Sequence, residues 1–205
     1  MNLGDLRSLF RLRAADSVAP YLWSNDEIDD HLRESENEAA ERASLIYDDT
    51  SPETVVAVVA GITRYTLDPS ILRIDLAVLD NTSPLAVLDR RERSPRGLFL
   101  IPDSTSLELN FEPQAAGTLQ LGVYRLPLNP MSLDTDTPEI HRKYHSKLLD
   151  WALHLAYLKP DADAFDQSKA DRHEAEFIAN FGQRVDANVQ RKQRERRRHV
   201  VRCNW

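Results

Sequence analysis

Histidines are the residues of this chain whose type and spacing first suggest metal chemistry. His141 and His145 lie four positions apart, so a helix would place both imidazoles on one face, at a spacing that can bind zinc. The glutamate that a metalloprotease needs after the first histidine is replaced by Arg142. Near the chain's end, His173 opens a similar pattern in which Phe177 stands where a second histidine would be needed. We therefore predict no metal site and no cofactor, and we expect the His141/His145 pair to face solvent or a neighbouring subunit.

Carboxylates are abundant, but none of them forms a recognisable catalytic pair. Glycoside hydrolysis needs one acid with a raised pKa and one ionised partner across a cleft, and nothing singles out such a pair here. The chain has neither a glycine-rich phosphate loop nor a GxSxG nucleophile elbow. Its lone cysteine, Cys203, has no partner in the chain for a disulfide. We predict no catalytic residue and a protein that is not an enzyme.

The densest positive charge lies in the last residues of a chain whose formal net charge is -7. Between positions 190 and 202 the basic residues are Arg191, Lys192, Arg194, Arg196, Arg197, Arg198 and Arg202, opposed by Glu195 alone. Such a block is typical of an interaction tail. Three functions are open to it: targeting or plain solvation, neutralisation of nucleic-acid phosphates, and docking on an acidic protein groove. Trp205 favours the protein partner, because buried aromatic anchors dominate protein interfaces.

Helices are predicted at both ends of the chain. Leucines at helical spacing in "NLGDLRSLFRLRAAD" indicate a first amphipathic helix. The capping box Ser24–Glu27 starts a long second helix, which is expected to end near "YDDTSP". Its face opposite the apolar stripe is acidic and carries Asp29, Asp30, Glu34, Glu36, Glu38 and Glu41. A third helix is predicted from Ile140 to Lys159, and a fourth ends at a Gly182 cap.

Between these helices the hydrophobic period changes from about 3.6 to two. Six short β-rich runs lie between Thr54 and Leu126, separated by turn signals. Six strands at this spacing predict a small antiparallel sandwich or barrel. No apolar run is long enough to cross a membrane.

The predicted fold is therefore α+β: a helical bundle formed by the N- and C-terminal helices, an inserted small antiparallel β-sandwich or barrel, and an extended basic arm. The bundle helices occupy 1–52 and 138–182, the β domain 53–130 and the arm 183–205. Neither pair of helices can bury its apolar face alone, so the two pairs are expected to pack together.

In its local sequences and in the order and spacing of its predicted elements, the chain resembles a known family. These are the head-to-tail adaptor or connector proteins of short-tailed phages, which are similar to tail tubular protein A. The resemblance rests on "WSNDEIDDHLRESENEAAERASLIYDD", "DPSILRIDLAVLD", "LQLGVYRLPLNPMS" and the stretch from "PEIHRKYH" to "RHEAEF". It covers roughly residues 26–182.

The resemblance implies a structural virion protein assembled in the host cytoplasm. It further implies a dodecameric ring beneath the portal protein, which continues the DNA ejection channel and carries tail nozzle and tail-fibre proteins. The basic residues above and Trp205 would form the portal-binding arm. The acidic helix, with Asp29, Asp30, Glu34, Glu38 and Glu41, would face a subunit or the channel, where double-stranded DNA passes without sequence-specific binding. The alternative is a nucleic-acid-binding packaging or regulatory factor that acts through the basic tail.

Overall fold

The computed structural model describes residues 1–88, 97–100, 105–161 and 163–184. Within these ranges the chain forms two compact units. The first is helical and contains residues 1–46 and 125–184, and the second is a β unit formed by residues 47–124. In the described ranges, no helix has the length and hydropathy needed to cross a membrane.

The first two helices of the helical unit begin at side-chain caps. Helix α1 spans Leu3–Ala14, and α2 spans Asn25–Ala43. The predicted capping box of α2 is confirmed, because Ser24 Oγ accepts the N–H of Glu27 at 3.2 Å and Glu27 Oε2 accepts the N–H of Ser24 at 2.8 Å. The predicted end of α2 is wrong by about one turn. Ser44 adopts a left-handed conformation with φ of 48°, which ends the helix before the chain reaches Asp48.

The C-terminal helices are shorter than predicted. Arg142–Lys147 is a 3-10 helix, and only Leu148–Tyr157 forms the α-helix α3. Helix α4 spans Gln167–Phe181 and begins at Asp166, whose side chain accepts the N–H of Lys169. The predicted Gly182 cap is confirmed by its N–H bond to the Ile178 carbonyl at 2.8 Å.

Apolar side chains from both ends of the sequence share the core of the helical unit, as expected for a bundle that neither pair of helices completes alone. Trp23 is 1% exposed and lies edge-on to two rings, Phe10 at 5.8 Å and Tyr157 at 5.7 Å between centroids. Its indole N–H donates to the Ala156 carbonyl at 3.2 Å. A second cluster joins the end of α2 to α3 and α4 and is composed of Ala39, Ala40, Ile46, Ile140, Leu148, Trp151, Phe177 and Phe181.

The described residues of the β unit form eight short strands, where six were predicted. They are β1 (Tyr47–Asp48), β2 (Val55–Val58), β3 (Arg64–Thr66), β4 (Ile71–Leu79), β5 (Ser83–Leu88), β6 (Gly97–Leu100), β7 (Ser106–Leu109) and β8 (Gly117–Arg125). The strand order is β1-β8-β4-β5-β6-β7-β3, and β2 also pairs with β8. The sheet is mainly antiparallel, as predicted, but β5 and β6 run parallel.

One face of this curled sheet encloses the core of the β unit. Leu98, Leu107, Leu119, Leu121 and Val123 are all completely buried there. Alternation places these side chains inward and polar neighbours such as Glu108 outward, which is the period-two pattern visible in the sequence.

Candidate interaction surfaces

The histidine pair predicted to face solvent or a subunit is divided by the structure. His145 is only 5% exposed, and its Nε2 and Nδ1 atoms lie 2.9 Å from the Ile140 carbonyl and 3.1 Å from the Met1 carbonyl. His141 is exposed, and its Nδ1 accepts the N–H of Lys143 at the start of the 3-10 helix. The expectation is therefore wrong for His145, which binds main-chain groups inside the helical unit.

Two further histidines, His154 and His173, also lie against groups inside the helical unit. His154 Nδ1 lies 3.0 Å from the Ala170 carbonyl, and His173 Nδ1 lies 3.5 Å from an Asp150 carboxylate oxygen. Within the described ranges, no three His, Cys, Asp or Glu side chains are grouped so that they could hold a metal ion. These imidazoles join α3 to α4 and shape the bundle.

The first carboxylate of the acidic helix forms a buried ion pair. Asp29 is 8% exposed, and its two oxygens accept the Nε and Nη2 hydrogens of Arg7 at 2.9 and 2.7 Å. Arg7 also donates to Asp134 at 3.0 Å. Hydrogen bonding to Asp29, the main cause, raises the pKa of Arg7 further above its ordinary value. This two-point contact fixes α1 against α2.

A second carboxylate, Glu38, lies inside a cluster of aromatic and basic groups. Its Oε1 accepts the Nε hydrogen of Arg42 at 2.7 Å, and Arg184 lies 3.6 Å from the same oxygen. The Arg42 guanidinium in turn lies 4.5 Å from the centre of the Trp151 ring and 5.1 Å from that of Phe177. The charge of Glu38 therefore orders α2 against α3 and α4.

Glu36 is the most deeply buried carboxylate of α2, at 2% exposure. Its Oε1 accepts the backbone N–H groups of Glu139 at 2.6 Å and Ile140 at 3.4 Å. Burial raises the pKa of Glu36 to about 7, against the lowering effect of these two hydrogen bonds.

Only part of the predicted acidic face is therefore at the surface of this chain. Asp30 and Glu34 are exposed and Glu41 is half-buried, while Asp29, Glu36 and Glu38 are buried. Asp30 forms an ion pair with Arg33 one turn along the helix. The expectation of one continuous acidic surface is wrong for the three buried carboxylates. Asp29 and Glu36 are covered by partners from distant segments, and Glu38 by Arg42 of the same helix together with Arg184. For Asp30, Glu34 and Glu41 a subunit-facing or channel-facing position remains a prediction.

An apolar surface loop between α1 and α2 was not predicted from the sequence. Val18 is 80% exposed, and Tyr21 and Leu22 are 50% and 42% exposed. The loop is held from inside by Asp16, which bonds Arg11 Nη1 at 2.8 Å and the Leu22 N–H at 2.9 Å. Its backbone is thus ordered while its apolar side chains face outward, an arrangement suited to a protein partner. The only sequence signal was the aperiodic apolar run "SVAPYLW".

The β unit carries a second exposed patch, formed by β1, β4 and β8. The rings of Tyr47 and Tyr124 lie edge-on at 5.4 Å, and the Arg73 guanidinium is 4.4 Å from the centre of the Tyr124 ring. Leu76, on the same strand as Arg73, is 46% exposed. Tyrosine and arginine are the side chains enriched at the energetic centres of protein interfaces.

The predicted portal-binding arm lies outside the described residues. Its members are Arg191, Lys192, Arg194, Arg196, Arg197, Arg198, Arg202 and Trp205. Their role therefore stays a prediction from the sequence.

The chain matches a protein-family model over almost its whole length. The model of the family described as SU10 adaptor protein matches residues 1–202 of the chain. No curated protein is similar enough to count as a match.

Proposed function

The chain belongs to the SU10 adaptor protein family and is thus a phage structural adaptor, and we propose that it forms the ring joining the portal to the tail of a short-tailed phage. Membership also makes it a virion component of a family that is typically non-enzymatic. In the proposed ring, twelve copies lie beneath the portal and continue the channel through which the genome leaves. The likeness to tail tubular protein A belongs to this proposal.

The extent of the family match is the observation that carries the proposal. It covers residues 1–202 and so includes all seven basic residues of the arm, although Trp205 falls beyond it. The arm is therefore part of what the family model matches and not an appendage to it. An arginine-rich segment can form forked hydrogen bonds to carboxylates of a portal protein. A closed ring would engage many such arms together, so that weak single contacts add to strong binding.

Two surfaces of the described residues support an adaptor that contacts several proteins. The ordered apolar loop with Val18, Tyr21 and Leu22 belongs to the helical unit, and the Tyr47/Tyr124/Arg73 patch belongs to the β unit. In the proposed assembly one surface contacts neighbouring copies, and the other takes nozzle or tail-fibre proteins.

The charge of the chain is compatible with a DNA conduit. Removing the arm's charge of about +6 from the net -7 leaves about -13 on the rest of the chain. Negative walls repel phosphates, so that double-stranded DNA would pass without sequence-specific binding. Asp30 and Glu34 are the exposed carboxylates of α2 that we propose for this wall.

Binding to portal rings tests the proposal directly. The full chain and a chain truncated after Val189 are each mixed with purified portal rings and imaged by electron microscopy. We expect added density beneath the portal with the full chain and none with the truncated chain, which should remain folded by circular dichroism. A full-length variant with the exposed Arg142 and Lys143 changed to glutamine is the control and should bind normally. Normal assembly of the truncated chain would show that the arm is not required for binding to the portal.

The alternative, a nucleic-acid-binding packaging or regulatory factor, is favoured by the same cluster of basic residues in the arm. It predicts that the full chain alone is retained on DNA irrespective of base sequence, with an affinity that falls steeply with salt and disappears on removal of the arm. Retention on DNA together with no binding to portal rings would replace the adaptor proposal by this one.

A further inference from the structure

An open groove of about 510 Å³ lies between β2 and β3 in the β unit. These strands follow one another in the chain and are joined by only five residues, 59–63, a length that normally gives a paired hairpin. Yet among the described strands β2 pairs only with β8, and β3 pairs only with β7. Each strand thus has one backbone edge without a partner strand in the described ranges, and residues of both strands line the groove.

The side chain of Tyr65 braces the connection between the two strands. The Tyr65 hydroxyl donates to the Ile62 carbonyl at 2.6 Å and accepts the N–H of Val59 at 3.2 Å. The Val59 carbonyl accepts the N–H of Ile62 at 3.2 Å. The Val59 N–H and the Ile62 carbonyl are thus bonded to the Tyr65 hydroxyl and not to a facing strand.

The groove has an apolar floor and an acidic mouth. The buried side chains of Val56, Tyr65 and Leu67 line its inside. Glu53, just before β2, and Asp68, just after β3, line it as well, and its other lining residues carry no positive charge. Because β2 starts and β3 ends away from the connecting turn, both carboxylates lie at the end of the groove opposite that turn.

Unpaired edges, an apolar floor and acidic ends fit an extended, basic segment that adds as a strand. The chain contains one such segment, residues 199–205. Its alternate positions place His199, Val201, Cys203 and Trp205 on one face and Val200, Arg202 and Asn204 on the other. The first set is mostly apolar and suits the floor, and Arg202 suits the carboxylates of the mouth.

We propose that the groove between β2 and β3 binds residues 199–205 of a second copy of this chain by strand addition. Fourteen residues, 185–198, separate Arg184 from this segment, enough for a reach of roughly 50 Å when extended, more than the ~30 Å diameter of a small domain. The arm of one copy can therefore reach the β unit of another. An added strand would cover an edge that otherwise favours uncontrolled association. When the arm of a copy binds a portal protein, residues 199–205 of that arm leave the groove. The arm–portal contact and the arm–groove contact are therefore alternatives.

The lone cysteine makes the contact measurable in the full chain. A variant with Thr66→Cys and Cys203→Ser carries a thiol on the groove wall and none in the arm. It is mixed with the unaltered chain, without portal rings, and treated with a short bifunctional thiol cross-linker. A direct disulfide is not used, because Thr66 is exposed while its neighbours Tyr65 and Leu67 face the groove floor, as Cys203 would. The cross-linked peptides are identified by mass spectrometry. The control places the thiol at Ala115, which is exposed in the β unit but does not line the groove.

We expect the cross-link between position 66 and Cys203 of the other copy to form at least several-fold more than that from position 115. Equal yields at the two positions would overturn the proposal. So would a Thr66→Cys chain that keeps Cys203 and forms the link only within single chains. Because no portal is present, a negative result in this assay does not bear on the proposal that the arm binds the portal. Likewise, a failure to bind portal rings does not bear on the groove contact.

Charge reversal tests the acidic mouth in the same assay. Glu53→Lys should lower the yield at position 66 on the order of tenfold, about 1.4 kcal/mol of binding free energy. Arg202→Glu in the other copy should restore it. Glu176→Lys makes the same charge change on the exposed face of α4 and should leave the yield unchanged. An equal effect of both lysine variants would show general charge attraction and would contradict a specific groove.

Discussion

The carboxylate of Glu36 and the backbone N–H of Glu139 meet at 2.6 Å inside the helical unit, joining residues 103 positions apart. Glu139 is itself held by Arg125, whose Nη1 donates to Oε2 at 2.7 Å, and its Oε1 accepts the Leu128 N–H at 2.9 Å. Together these contacts connect α2 to the segment that leads from β8 to α3. A buried acid thus organises the return of the chain into the bundle.

The stability of the chain is expected to depend on pH through Glu36. Its pKa is raised from 4.5 to about 7 by burial, so the protonated form is favoured in the folded state. Its contribution to the free energy of unfolding is fully present below about pH 4.5 and is lost as the pH rises through 7. Glu36→Gln keeps the acceptor and cannot ionise. Between about pH 4.5 and 8, the free energy of unfolding of the unaltered chain should therefore fall by about 3 kcal/mol relative to that of this variant.

Urea unfolding at several pH values measures this difference. Glu34→Gln, on the exposed side of the same helix, is the control and should follow the pH dependence of the unaltered chain. Parallel pH curves for the Glu36→Gln variant and the unaltered chain would show that Glu36 titrates normally.

Adjacent carboxylates on α2 should differ sharply in their contribution to stability. Asp29→Asn weakens the buried two-point contact with Arg7 and leaves that guanidinium partly unpaired, at an expected cost of about 2 kcal/mol in the free energy of unfolding. Asp30→Asn removes only an exposed ion pair with Arg33 and should change stability by less than about 0.5 kcal/mol. Thermal and chemical unfolding of the two variants gives the comparison. Similar losses would contradict the structural role assigned to Asp29.

The start of α2 should depend on the Ser24 hydroxyl. Ser24→Ala leaves the Glu27 N–H without its side-chain acceptor and is expected to cost about 1 kcal/mol in the free energy of unfolding. Ser168→Ala in the first turn of α4 is the matched control, because Ser168 is exposed and is not a cap; its effect should be close to zero. A harmless Ser24→Ala change would mean that the cap contributes nothing measurable.

The apolar loop should matter for assembly and not for folding. Val18→Ser together with Leu22→Ser changes two exposed side chains and leaves the Asp16–Arg11 contact in place, so the melting temperature should stay nearly constant. If the loop contacts another virion protein, the variant should join portal rings at least tenfold less than the unaltered chain, as expected for loss of an interface anchor. Leu133→Ser, at a residue that is 66% exposed, controls for general loss of apolar surface. Equal assembly of the loop variant and this control would exclude the loop from the interface.

Local signals in the sequence were sufficient to predict individual helices and their caps. The Ser24–Glu27 box and the Gly182 cap involve residues within four positions of each other, and both are present as expected. The extra strands escaped prediction because β1, at two residues, is too short for a visible alternation. The 3-10 turn before α3 has the same helical spacing of apolar residues as an α-helix would.

The burial of Asp29, Glu36 and Glu38 could not be predicted by the same means. Helical periodicity places a carboxylate on a face of α2, but it does not show what covers that face. Asp29 is covered by Arg7 from α1, and Glu36 by backbone groups from beyond residue 138. Only Arg42, one turn from Glu38, was within range of a local pattern. The apolar loop was missed for a related reason, since its order depends on the Asp16–Arg11 contact and its side chains follow no period.

The division of the helical unit into residues 1–46 and 125–184 has a consequence for synthesis on the ribosome. Helices α1 and α2 emerge first, but Trp23, which packs against Phe10, acquires its second ring partner, Tyr157, only after more than one hundred further residues have been made. At roughly 5–20 residues per second, that delay lasts several seconds or longer. Residues 47–124 are contiguous and can complete their ladder in the interval. The nascent chain is therefore expected to fold its middle before its beginning, with the apolar face of α1 as the surface that a chaperone would have to shield.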